Sequence, residues 1–133
     1  MRRRLMIGAA LSVIASAPTG AGAVAAAAAL GSSKPPARML VYAQEWSLWP
    51  SRHAIPRGKV IVQLWNRGQD GHDLRIRAVD RRGHMTGRTQ AVALTLSGAI
   101  SEATWHLQPG RYELFCSMPG HLARGMHTIL LVR

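Results

Sequence analysis

The chain has 133 residues, a single cysteine and a formal net charge of +11. This length is enough for one domain, and one cysteine excludes a disulfide within the chain. The basic side chains are scattered among short apolar runs without a nucleic-acid-binding motif, so nucleic acid is the partner we expect least.

The first 23 residues have the pattern of an export signal. Three arginines at positions 2–4 precede the apolar stretch 5–14, and the small residues at 15–17 and 21–23 match A-x-A cleavage sites. The arginine pair is also typical of twin-arginine export. Residues 5–33 carry no charge, so an uncleaved membrane anchor is the alternative. We therefore expect a periplasmic or otherwise extracytoplasmic protein, either released or tethered through its N-terminus.

Residues 24–37 are rich in Ala, Gly, Ser and Pro and are predicted to be a flexible tether. Residues 38–133 remain for the folded domain, which is long enough for one compact core. Removing the three N-terminal arginines from the 17 basic side chains, against 6 acidic ones, leaves a net charge of about +8. This charge suits an acidic protein partner or an anionic membrane surface.

From Arg38 onward the sequence predicts β-structure. Short apolar or alternating runs are separated by turn residues, and no segment has a sustained helical period. In the clearest run Leu74, Ile76 and Ala78 face inward, whereas Arg75 and Arg77 face outward. The strand 60–65 likewise has one apolar face, formed by Val60, Val62 and Leu64. The predicted strands are 39–46, 60–65, 74–79, 100–107, 111–116 and 126–132, with 91–96 as a strand or short helix and a break with a loop over 49–56. This spacing favours a two-sheet β-sandwich, an architecture shared by adhesive modules and metal proteins.

The segment 115–126 carries three metal-ligating residue types in the pattern C-x4-H-x4-M: Cys116, His121 and Met126. One predicted strand ends at the cysteine and the next begins at the methionine, so the intervening loop can aim the three side chains at one point. A second histidine, His72, precedes the strand 74–79. A cysteine and two histidines with a weak axial methionine form a blue-copper electron-transfer site. The remaining histidines are expected to have surface or structural roles: His53, His84, His106 and His127.

The segment 41–132 resembles the plastocyanin/azurin-like cupredoxins, a family of type 1 blue-copper proteins. The resemblance is carried by the loop region 110–126 and by the upstream motifs Trp49-Pro50, Asn66 and His72-Asp73-Leu74. It implies an all-β Greek-key β-sandwich of about seven to eight strands. It also implies one copper ion bound by His72, Cys116, His121 and Met126.

Asp73 stands where the family commonly has asparagine. We expect its backbone amide to help orient the sulfur of Cys116, as that residue often does in the family. The negative charge of its side chain is expected to lower the reduction potential.

The predicted activity is one-electron transfer rather than catalysis, since no coordination position remains open for a substrate. The edge of His121 is the expected electron port, and Met118, Pro119 and Leu122 are the expected apolar docking patch. The basic charge would steer an acidic redox partner, such as a cytochrome or an oxidase domain. We expect a monomer, with association at a membrane surface as a further option.

Several alternatives remain. A copper chaperone or storage protein usually has exposed Met- and His-rich sites and often lacks a thiolate, so Cys116 argues against it. A cupredoxin-type subunit of a larger copper oxidoreductase, or a homo-oligomer that shares a metal between domains, would need further histidines, commonly in H-x-H pairs. The chain has no such pair. A metal-free adhesion module would not need the ordered ligand set.

Overall fold

The computed structural model of the protein describes residues 34–133. The predicted export signal, and the predicted tether up to residue 33, lie outside the described residues. Ala37, the last residue of the predicted tether, begins the first strand. None of the helices found in residues 34–133 has the length and hydrophobicity needed to cross a membrane.

Nine strands and one short 3-10 turn make up the described chain. The strands are β1 (Ala37–Gln44), β2 (Ser47–Pro50), β3 (Ala54–Ile55), β4 (Gly58–Asn66), β5 (His72–Val79), β6 (Met85–Thr95), β7 (Ile100–Leu107), β8 (Gly110–Phe115) and β9 (His127–Val132). The 3-10 turn, Leu122–Arg124, lies between β8 and β9.

The strands form two sheets, with the orders β2-β1-β4-β7 and β3-β9-β8-β5-β6. β1 pairs with β4 in parallel, and so does β3 with β9, while the other neighbours are antiparallel. The prediction of an all-β two-sheet sandwich is confirmed. The two shortest strands, β2 and β3, raise the count above the expected seven to eight.

Alternating apolar side chains from both sheets fill the core. Val60, Val62 and Leu64 of β4 are fully buried, as are Leu74 and, to within 1%, Ile76 of β5. The predicted inward faces are therefore confirmed for β4 and for Leu74 and Ile76 of β5, whereas Ala78 is only partly buried because a register shift follows Ile76. Burial of this apolar surface supplies the main favourable term in folding.

The sequence prediction was wrong in two segments. Residues 49–50, predicted to break the first strand, are the end of β2, and residues 54–55 form β3. β2 is an edge strand and Pro50 is its last residue, so the missing N–H of proline costs no ladder hydrogen bond. β6 begins at Met85 rather than near position 91. Its first residues are exposed at the edge of the sheet, so they show no apolar alternation from which the start of the strand could be predicted.

The pairing of three strands places the predicted ligands at one end of the five-stranded sheet. β5 begins at His72, β8 ends one residue before Cys116, and β9 begins one residue after Met126. β8 lies between the other two, with Phe115 opposite both Arg75 and His127. The end of this sheet therefore brings together chain segments that are far apart in sequence.

Candidate metal centre

The loop between β8 and β9 is closed by its own backbone. The amide of His121 donates to the carbonyl of Met118 at 3.0 Å, and the amide of Met126 donates to the carbonyl of His121 at 3.1 Å. The amide of Cys116 donates to the carbonyl of Met126 at 3.2 Å. Gly125 ends the 3-10 turn with φ 96°, a left-handed conformation that glycine adopts without a steric penalty. These hydrogen bonds fix the backbone positions of Cys116, His121 and Met126, and hence the points from which their side chains extend.

Three donor atoms converge above this loop. The Nδ1 atoms of His72 and His121 are 3.2 Å apart, and the Sγ of Cys116 lies 4.0 Å from the first and 3.5 Å from the second. A point equidistant from the three lies about 2.1 Å from each, the length of a metal–imidazole bond and close to that of a metal–thiolate bond. The three residues are buried. Their donor set and spacing therefore fit one metal ion shielded from water.

Met126 belongs to the same loop and is fully buried. Its backbone is hydrogen-bonded to Cys116 on one side and to His121 on the other. The structure thus places the fourth predicted residue beside the other three. Its role as a ligand stays a prediction.

Comparisons with solved structures show the same arrangement of strands. Auracyanin from Roseiflexus castenholzii matches with a TM-score of 0.58 at 16% identity, over 75% of this chain and 99% of that one. Auracyanin A from Chloroflexus aurantiacus, titled a "blue" copper protein, matches with a TM-score of 0.58 at 13% identity, over 74% and 100%. Rusticyanin from Thiobacillus ferrooxidans matches with a TM-score of 0.59 at 21% identity, over 76% and 79%. The fold is that of the cupredoxins. No family model and no curated sequence matches the chain.

The electrostatics of the candidate metal site centre on Cys116. Burial raises the pKa of its thiol, and the backbone amides of Met118 and Asp73 act in the opposite direction. That the amide of Asp73 orients the sulfur stays a prediction. A metal ion bound to the sulfur would remove the proton outright.

The side chain of Asp73 ties the two ligand-bearing segments together. Its carboxylate accepts the amide of Ser117 at 2.6 Å, the hydroxyl of Ser117, and the Nε of Arg75 at 2.9 Å. Burial alone would raise the pKa of Asp73, but the bonds from Ser117 and Arg75 outweigh it and lower that pKa. Asp73 is therefore held as a carboxylate at neutral pH.

Glu45, in the turn between β1 and β2, is a site residue that the sequence did not indicate. Its Oε1 lies 3.1 Å from the Nε2 of His72 and also accepts the amides of Gln69 and Asp70, at 2.7 and 2.8 Å. The pKa of Glu45 is lowered to about 2, chiefly by the Asp70 amide. Glu45 lies 27 residues before His72, and no local sequence pattern predicts that the two side chains are in contact.

His121 is more enclosed than the sequence led us to expect. The residue is 8% exposed, and the ring of Trp46 packs against it edge to face with centroids 4.9 Å apart. The guanidinium of Arg124 lies over the indole of Trp46, 4.2 Å from the ring centroid. The indole therefore packs against the imidazole and carries the cation on its own ring, and the role of His121 as an electron port stays a prediction.

The three predicted docking residues lie together on the surface of the loop. Met118, Pro119 and Leu122 line one shallow, largely apolar depression, which Cys116 also borders. Leu122 is 37% exposed, whereas Met118 packs partly against the core. The structure thus brings these residues together beside the sulfur, and their docking role stays a prediction.

The remaining histidines do not join the metal centre. His84 pairs with Asp80 in the β5–β6 turn, and His127 pairs with Glu113. Within residues 34–133, the three-residue set of His72, Cys116 and His121 is the only such group of His, Cys or acidic side chains close enough to hold a metal.

Proposed function

We propose that this protein is a mononuclear type 1 copper protein that carries one electron between redox partners outside the cytoplasm. The observation that carries the proposal is the triangle of two imidazole Nδ1 atoms and one Sγ, with sides of 3.2, 3.5 and 4.0 Å. Bound copper would supply the Cu(II)/Cu(I) couple. The chain's own part is to hold the donors in place and keep water away from them.

The donor chemistry favours copper over the other metals that bind histidine. Thiolate and thioether are soft ligands, and a trigonal set of two histidines and a cysteine with a weak axial methionine is typical of blue copper. Met126 is the axial residue in this proposal. Zinc would be better served by a tetrahedral set of four strong ligands.

Electron transfer suits this site better than catalysis. The ligands are buried, and with Met126 in place the protein itself occupies every coordination position. A rigid, enclosed ligand set changes little between oxidation states, so the energy cost of moving an electron stays low. Auracyanin A, a chain of the same fold, is described as a "blue" copper protein, and this likeness supports the proposal.

The partner in this proposal is an acidic redox protein, such as a cytochrome or an oxidase domain, that docks over the metal loop. Leu122, Met118 and Pro119 offer an apolar contact area, and Arg124 adds a positive charge at the end of the same 3-10 turn as Leu122. The net charge of about +8 that remains without the three N-terminal arginines would speed the encounter. We propose a monomer exported by the N-terminal signal, with tethering at a membrane surface as the alternative.

The direct test is the visible absorption and paramagnetic-resonance spectrum of the oxidised, copper-loaded protein. We expect one copper per chain and an intense thiolate-to-copper band. Cys116→Ser should abolish the band and leave the far-ultraviolet circular dichroism unchanged, which separates loss of the ligand from loss of the fold.

Two results would overturn the proposal. The first is a fully occupied Cu(II) site without the intense band. The second is a colourless protein that takes up Cu(I) and hands it to an acceptor, which would support a copper chaperone instead.

A further inference from the structure

We propose that Glu45 is the positioning residue for His72, holding its imidazole in the tautomer that carries the proton on Nε2 and leaves Nδ1 free for the metal. This inference rests on the proposed function only for the identity of the metal. The geometry that carries it is the 3.1 Å contact between Glu45 Oε1 and His72 Nε2, on the side of the ring opposite the cluster.

The direction of this hydrogen bond follows from the chemistry of its acceptor. A carboxylate can only accept, and Oε1 already receives the amides of Gln69 and Asp70. The proton between Glu45 and His72 must therefore sit on Nε2, which in the neutral imidazole leaves the lone pair on Nδ1. That lone pair lies 3.2 Å from the Nδ1 of His121 and 4.0 Å from the sulfur of Cys116.

The loop that follows β4 is built around this carboxylate. A Cβ at position 68 would overlap the carboxylate oxygens of Glu45, so glycine is required for the backbone to come so near. The next two residues, Gln69 and Asp70, then turn their amides toward Oε1. The carboxylate is thus held by two backbone amides as well as by His72, and neither amide belongs to a ligand residue.

A carboxylate behind a ligating imidazole has two consequences. It fixes the ring orientation, and it makes the imidazole a stronger donor. A stronger donor with a negative charge behind it favours Cu(II) over Cu(I). Glu45 is therefore expected to tighten Cu(II) binding and to lower the reduction potential.

The test uses the full-length chain and two variants that remove the contact in different ways. Glu45→Ala deletes the carboxylate. Gly68→Ala keeps Glu45 but displaces its carboxylate with the added methyl group. Asp80→Asn is the matched control, because it removes one negative charge at the opposite end of β5, roughly 25 Å from His72 for a strand of this length.

The first readout needs no metal. Long-range ¹⁵N–¹H correlation spectra of the metal-free chain report which ring nitrogen of His72 carries the proton. We expect the Nε2–H tautomer in wild type and in Asp80→Asn, and a mixture of tautomers in both Glu45→Ala and Gly68→Ala. The same tautomer in all four proteins would overturn the inference.

The second readout is Cu(II) affinity, measured by competition with a chelator. Loss of such an outer partner typically costs about 10- to 100-fold in metal affinity, and we expect a loss in this range for both contact variants. An affinity equal to that of wild type would contradict the positioning role. If wild type binds Cu(II) without the blue band and the tautomer result still holds, the proposed function fails while the role of Glu45 stands.

Discussion

The carboxylate of Asp73 accepts both the amide and the hydroxyl of Ser117, and so joins the residue after His72 to the residue after Cys116. Arg75 donates to both of these side chains, to Asp73 at 2.9 Å and to Ser117 at 2.8 Å. The separation between the two ligands is therefore set by a side-chain bridge as well as by the pairing of β5 with β8. The bridge uses no metal-ligating atom, so we expect it to hold the two donors close together before copper arrives.

Removing this bridge should weaken the fold and the site together. Asp73→Ala leaves the amide and hydroxyl of Ser117 without this acceptor, and hydrogen bonds to charged groups contribute about 1.5–3 kcal/mol each. We expect a loss of roughly 2–4 kcal/mol in the free energy of unfolding, measured by urea denaturation of the metal-free protein. Ser117→Ala, which removes only the hydroxyl, should cost about 1 kcal/mol. Equal losses in the two variants would show that the amide contact contributes nothing.

Asp73→Asn separates the charge of Asp73 from its geometry. Asparagine keeps an acceptor for the Ser117 amide but carries no charge. Losing a negative charge near the metal disfavours Cu(II), so the reduction potential should rise, as cyclic voltammetry can measure. An unchanged potential in a variant with a normal copper spectrum would rule out the electrostatic role.

Copper binding should raise thermal stability. A ligand that binds only the folded state stabilises it by mass action, by about 4 kcal/mol when its free concentration is 1,000 times Kd. Calorimetry of the metal-free and copper-loaded chain should therefore give a higher Tm for the loaded form. Cys116→Ser is the control and should show a smaller gain, because it lacks the strongest ligand. Identical Tm values for loaded and metal-free wild type would contradict the proposed metal centre.

Met126 is expected to adjust the reduction potential more than it holds the metal, since thioether is the weakest of the four donors. Met126→Gln should keep copper and lower the potential, because an oxygen donor favours Cu(II). Met126→Leu nearly conserves the volume of this fully buried side chain but removes the sulfur, so the potential should rise. Voltammetry of the three proteins provides the measurement. Shifts in the same direction for both variants would speak against an axial role.

Docking at the metal loop predicts that a charge at Leu122 slows electron transfer to a protein partner. Leu122→Glu places a negative charge in the apolar depression without touching a ligand. Leu131→Glu is a matched control, since Leu131 is 38% exposed against 37% for Leu122 but lies on β9, away from the loop. Stopped-flow rates with the natural partner should fall for the first variant and stay near wild type for the second, with an unchanged copper spectrum in both.

The same experiment run across a salt series tests the steering role of the charge. Salt screens exposed charges over about 8–10 Å at physiological ionic strength, so rates with an acidic partner should fall as salt rises. A neutral small reductant should show little dependence. If Leu122→Glu and wild type transfer electrons to the partner equally fast, the docking surface lies elsewhere, and Trp46 with Arg124 becomes the next face to alter.

The part of the site that could be predicted from the sequence is the part that is local in the chain. Cys116, His121 and Met126 follow one another at short, regular spacing, and the loop that carries them needs only two adjacent strands. His72 could be predicted because it precedes an unmistakable alternating strand. The fold class followed from the same alternation in β4 and β5.

What could not be predicted depends on contacts between distant segments. Glu45 and Trp46 lie in a short turn between β1 and β2, and only the packing of the two sheets brings them to His72 and His121. The side chain of Asp73 could not be assigned a partner either, because Ser117 is 44 residues away. Edge strands such as β6 are equally hard to predict, because most of their side chains are exposed to water and their sequence therefore needs no alternation of apolar and polar residues.

The only sulfhydryl of the chain is fully shielded when the protein is folded. An alkylating reagent can therefore reach Cys116 only during openings of the loop between β8 and β9, and the labelling rate of metal-free protein counts those openings. In an oxidising compartment the burial of Cys116 also determines which molecules can form an intermolecular disulfide. Folded chains cannot pair through this sulfur, whereas chains that have not finished folding can, so covalent dimers would record incomplete folding rather than assembly.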